Sequence, residues 1–164
     1  MADARLVELL RVLRAHEVDF IVVGGMAAVI GGAPIVTQDV DVLRANTPEN
    51  VERLLAALEE LDAVLRGDNR RLRPKASHLT GPGHLLLATK LGVLDVLGSV
   101  EDATRYEELL ADSSWVDLDG FSVRVLSLPR PLEIKRKLKR PKDQLMALQI
   151  EAVIDEQRRE REQK

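Results

Sequence analysis

The sequence predicts an α/β (α+β) fold, a small mixed and mostly antiparallel sheet flanked by helices, within a single domain over residues 1–164. Three observations carry that prediction. Leucines at helical spacing open the chain and give way to short apolar runs, two pairs of such runs are joined by connections short enough for hairpins, and helical patterning returns at the end. The length suits one core, because single cores usually occupy roughly 100 to 200 residues.

Leu6, Leu9, Leu10 and Leu13 put one apolar stripe on residues 3–16, an amphipathic helix. DFIVVG at 19–24 reads as a strand buried on both faces, and GMAAVIGG follows as a short helix after its glycine turn. From Thr37 to Leu43 polar and apolar residues alternate, so Asp39 and Asp41 share one face and Val40 and Val42 the other. Thr47, Pro48 and Glu49 form a helix start: a hydroxyl cap, a ring with a helix-compatible φ, and an acid near the positive end. That helix runs to about Leu61.

Residues 66–83, RGDNRRLRPKASHLTGPG, are polar, basic and rich in turn formers, which predicts a mobile loop with a short edge strand around Ser77–Leu79. HLLLAT and GVLDVLG, joined at Lys90-Leu91-Gly92, predict a hairpin that sets Asp95 inside an aliphatic strand. TRYEELLADS predicts a short helix, and Asp119-Gly120 a second hairpin turn. Helical patterning resumes at Leu132, is interrupted at Pro141, and finishes in a charged helical tail from about Asp155.

Composition narrows the function classes. The net charge of −3 gives no general attraction to nucleic acid or membrane. There is no cysteine, which excludes disulfides, thiolate metal sites and cysteine nucleophiles. His16, His78 and His84 lack zinc-site spacing, no G-x-S-x-G elbow is present, and no apolar run reaches the roughly 18 residues of a membrane span. The N-terminus lacks the continuous apolar segment of a signal peptide, so the expected location is the cytoplasm.

Three acids stand out because aspartate is uncommon inside aliphatic strands. Asp39 and Asp41 project side by side, and a neighbouring strand bearing Asp95 would complete a trio of carboxylates. Clustered anions repel, so one must hold a proton or a cation must join them; all-oxygen ligation suits Mg²⁺ or Mn²⁺. Gly24 and Gly25 lie where strand turns into helix, a place where backbone N–H groups can receive phosphate oxygens. The bland readings are a solvated strand face and a tight turn.

VVGGMAA at 22–28, TQDVDVL at 37–43 and GVLDVLG at 92–98, in that order, resemble the nucleotidyltransferase superfamily with the DNA polymerase β-like catalytic fold. With EIKRKLKRPKDQL at 133–145, the chain looks most like small bacterial proteins grouped with the AbiEii and MenT toxins and their DUF6036-type relatives. Ile35 stands where those relatives often carry arginine. The resemblance implies transfer of a nucleoside monophosphate from a nucleoside triphosphate to a hydroxyl of RNA (tRNA among the candidates), protein or small molecule. It further implies metal held by Asp39, Asp41 and Asp95, nucleotide held by Gly24, Gly25, Thr37, Lys135, Arg140 and Lys142, and an antitoxin protein as a partner. A catalytically degenerate nucleotide- or partner-binding module of the same fold is the open alternative.

Overall fold

The computed structural model describes residues 3–100, 104–127 and 141–162, with residues 141–147 and 161 described by backbone alone. The elements run α1 (Ala4–Ala15), β1 (Phe20–Val23), α2 (Gly24–Ile30), β2 (Asp39–Arg44), α3 (Pro48–Glu60) and β3 (Val64–Leu65). After a 3₁₀ turn at Ala76–Leu79 come β4 (His84–Thr89), β5 (Gly92–Leu97), α4 (Tyr106–Leu109), β6 (Ser113–Asp117), β7 (Ser122–Leu126) and α5 (Pro141–Glu162).

The strands form one seven-stranded sheet in the order β3-β4-β5-β2-β1-β7-β6. Pairs β1–β2, β3–β4, β4–β5 and β6–β7 are antiparallel, whereas β2–β5 and β1–β7 are parallel. The sheet is therefore mixed and mostly antiparallel, with helices against it. The two expected hairpins close as their turn residues dictate: Lys90-Leu91 joins β4 to β5, and Asp119-Gly120, both at positive φ, joins β6 to β7.

One face of the sheet carries the main core. Leu6, Leu9, Leu10 and Leu13 of α1 and Val51, Leu54 and Leu58 of α3 pack with Val22, Val40, Val42, Leu94, Val96, Val123 and Val125. The other face has a smaller cluster of Ile21, Val23, Leu43, Val100, Leu109 and Leu126. Strand alternation thus sends Val40 and Val42 into the core and leaves Asp39 and Asp41 on the thinly covered face.

α3 is fastened at its start by two polar devices. Thr47 accepts from Asn50 N at 3.2 Å, the expected cap. The fully buried Asn50 side chain accepts from Asp19 N at 2.7 Å and donates to the carbonyls of Asp19 (3.0 Å) and Ala45 (2.8 Å), tying the entry of β1 and the exit of β2 to the helix. Asn50→Ala strands those buried groups and is expected to lower unfolding free energy by about 2–3 kcal/mol, measured by urea denaturation.

The segment expected to hold an edge strand at Ser77–Leu79 is a 3₁₀ turn instead. His78 Nδ1 accepts from Lys75 N at 2.9 Å and Leu79 is fully buried, so the segment curls inward rather than extending along an edge. The edge strand is β3, just before the loop, paired with β4. The stretch after it, expected to be mobile, has fixed partners: Leu65 N donates to Leu72 O at 2.8 Å, and Arg70 forks onto Asp68 with contacts of 2.7 and 3.0 Å. Arg73 grips Asp62 and the carbonyl of Ala63, and its hydrogen bond, then its charge, hold the Asp62 carboxyl below the usual range. No helix among the described residues is long and apolar enough to cross a membrane.

Candidate active site

β1 runs out at Val23, and Gly24 turns the chain into α2 with φ of +66°, a left-handed conformation that glycine adopts without penalty. The turn lies directly over β2, because Val23 pairs with Asp41. A Cβ at Gly24 would collide with Asp41 Oδ2, so the bare glycine is what lets the carboxylate sit against the backbone. Gly25 is tight in the same way: a Cβ there would meet Thr37 Oγ1 at 3.0 Å. The Thr37 hydroxyl donates to the Asp39 carbonyl at 3.1 Å, which links the loop before β2 to the first aspartate of the strand.

The parallel register of β2 and β5 places Asp41 opposite Asp95, and Asp39 opposite Val93. Residues opposite one another point to the same side of a sheet, so Asp39, Asp41 and Asp95 occupy one face around the glycine turn. Asp39 is exposed, while Asp41 and Asp95 are partly buried.

The expected trio is drawn together only in part. Among the described residues, no three histidine, cysteine, aspartate or glutamate side chains gather closely enough to ligate one metal ion. Asp95 is instead engaged by Arg66, whose Nη1 lies 3.0 Å from Asp95 Oδ1. Sequence reasoning passed over Arg66 because it begins the polar run at 66–83; the missing signal was β3, which sets the residue beside β4, with Arg66 N donating to Leu86 O at 2.9 Å. The contact has ion-pair distance without hydrogen-bond alignment, and Asp95 Oδ1 is a buried oxygen with no hydrogen-bond donor. The repulsion among these acids is thus met on the Asp95 side by a guanidinium.

Of the basic residues expected to contact nucleotide, Lys135 and Arg140 lie outside the described residues, and Lys142 lies on α5 where the backbone alone is described. The position of Ile35 has a packing reason. It joins Ala28, Ala33, Ile150, Val153 and Ile154 in a cluster that docks α5 on α2, reinforced by Gln157 Nε2 donating to Gly31 O at 3.0 Å. An arginine in that cluster would bury its stem among aliphatic groups.

A cavity of about 460 Å³ lies at the opposite end of β2, with Arg44, Asn46, Arg105 and Tyr106 among its walls and none of the three aspartates. Arg44 is roughly 10 Å along the strand from Asp41, at about 3.3 Å per residue. Its guanidinium bonds Gly81 O at 2.6 Å and Asn46 Oδ1 at 3.0 Å, so its visible work is to hold the turn before β4.

The fold has relatives among solved structures. A candidate nucleotidyltransferase from Thermotoga maritima, TM1012, superposes with a TM-score of 0.58 at 17% identity, covering 89% of this chain and 92% of that one. The solution structure of the antibiotic-resistance factor ANT(2'')-Ia gives 0.52 at 16% identity, covering 96% and 94%. At such identities the likeness is one of fold. No curated protein matches the sequence. The model of the family described as nucleotidyl transferase of unknown function, DUF2204, matches residues 2–163, and the chain belongs to that family.

Proposed function

We propose that the protein is a metal-dependent nucleotidyltransferase that moves a nucleoside monophosphate from a nucleoside triphosphate to a hydroxyl acceptor. The observation that carries this reading is the register that sets Asp41 beside Asp95 and Asp39 on the same face, with Gly24 closed onto the Asp41 carboxylate. The donor set is all oxygen, and the buried Asp95 Oδ1 has no hydrogen-bond donor, which fits a hard cation. Asp39, Asp41 and Asp95 would hold Mg²⁺ or Mn²⁺, which when bound supplies Lewis-acid stabilisation of charge on the phosphoryl oxygens.

The chain's own groups do the rest. The acceptor oxygen forms its bond to the α-phosphorus as the bond to the bridging oxygen breaks and pyrophosphate leaves, and Asp95 would take the proton of the attacking hydroxyl. Gly24 and Gly25 present backbone N–H groups to the β and γ phosphates without an intervening Cβ. Thr37 braces the Asp39 backbone, and Lys135, Arg140 and Lys142 would offset triphosphate charge. The whole chain, 1–164, would act as one such domain in the cytoplasm. Likeness to the AbiEii and MenT toxins supports an RNA acceptor, tRNA among them, with an antitoxin as partner; the name of the resistance factor supports a small-molecule hydroxyl.

The Arg66–Asp95 contact favours a second reading, an inert module that binds nucleotide or a protein partner. Incubation with each α-labelled nucleoside triphosphate, Mg²⁺ and total RNA or cell lysate separates the two. The transferase labels an acceptor, and the label vanishes in Asp39→Ala and Asp41→Ala; nucleotide binding without transfer under every triphosphate overturns it.

A further inference from the structure

We propose that Arg66 is the resident counter-cation of the third carboxylate and exchanges with the divalent ion as the site loads. The inference rests on the transferase reading and deepens it, adding a residue that governs metal entry. One row crosses the acidic face: Arg66 beside Leu86, Leu86 opposite Asp95, Asp95 opposite Asp41. Arg66 is anchored through its backbone at the sheet edge beside the exposed Leu86, and its side chain places Nη1 3.0 Å from Asp95 Oδ1.

Two features make the contact exchangeable. It lacks hydrogen-bond alignment, so the attraction is mainly coulombic and a better-placed cation can replace it. The Arg66 side chain is about a third exposed (34%), so it has a direct route into water. The loop beyond is fastened separately, by Leu65 N to Leu72 O and by Arg73 to Asp62, so the exchange needs no refolding. Asp41 and Asp95 stand in register on one face with Asp39, and the repulsion among neighbouring carboxylates favours a divalent ion beside them. Metal affinity is scaled by the fraction of chains in which Asp95 is free of Arg66, so a tenfold weakening corresponds to about nine chains in ten with the contact made. This accounts for three acids on one face without a closed metal cage.

Mn²⁺ titration of the full chain, read by the electron paramagnetic resonance of free Mn²⁺, tests the exchange. Arg66→Met is expected to bind Mn²⁺ about tenfold more tightly than the unmodified protein, the scale of losing one partly desolvated competing charge. In chelator the variant should melt at a lower temperature, and Mn²⁺ should restore it. Arg66→Lys, which keeps the charge, should stay near the unmodified affinity. In an Asp95→Asn background, Arg66→Met should leave Mn²⁺ affinity unchanged. Equal or weaker Mn²⁺ binding by Arg66→Met, the same tightening without the Asp95 carboxylate, or no Mn²⁺ binding by any variant overturns the proposal. Transfer is not read in this titration, so failure of the exchange and failure of the transferase reading are seen in separate experiments.

Discussion

Asp41→Asn is expected to cut nucleotide transfer by about 10³-fold or more, a loss of about 4 kcal/mol in transition-state stabilisation at 1.36 kcal/mol per decade. The amide fills nearly the same volume, so it can occupy the space against Gly24 and keep the turn between β1 and α2. What it loses is the charge on the carboxylate that stands in register with Asp95 and two residues from Asp39. The clean signature is a thermal midpoint close to that of the unmodified protein combined with loss of label transfer. Undiminished transfer by Asp41→Asn would remove this residue from the chemistry and with it the role given to the face.

Gly24→Ala should damage both fold and activity. At φ of +66° an L-residue costs about 1–2 kcal/mol, before the new methyl drives into the Asp41 carboxylate. For a chain of this size that lowers the thermal midpoint by roughly 5 °C, and displacing Asp41 should reduce transfer by about 10²-fold. Gly25→Ala provides the contrast. Its methyl would meet the Thr37 hydroxyl, a rotatable group at 3.0 Å, so a smaller fall in both quantities is expected. If Gly24→Ala melted and reacted like the unmodified protein, the close approach of turn and carboxylate would have no consequence for the site.

Local pattern made much of this architecture legible. Alternation alone placed Asp39 and Asp41 opposite Val40 and Val42, and the cap at Thr47 marked the start of α3 within a residue. The short links at Lys90-Leu91 and Asp119-Gly120 announced the hairpins. Long-range choices were less visible. Period two tells which face a residue takes but not which strand lies beside it, so the parallel pairing of β2 with β5, which sets Asp41 against Asp95, has no local marker. β3 is two residues long, too short to show any period, and without it Arg66 looked like one more loop cation. Ile35 seemed a missing arginine until its apolar neighbours on α2 and α5 gave it a packing role. The matched family, DUF2204, is described as nucleotidyl transferase, which agrees with the superfamily the motifs resemble and does not reach to the AbiEii, MenT and DUF6036 branch.

The parallel neighbours β2 and β5 also set an order of assembly. As the chain leaves the ribosome, the glycine turn and the first two aspartates emerge early and can come together through the antiparallel β1–β2 pair, which α2 connects. Their third companion arrives only after α3, the loop and β4 have been made, and it reaches its place by a long-range closure, the slow kind of contact. A nascent chain stopped before β5 would therefore display the glycine turn and two aspartates without the means to complete the acidic face.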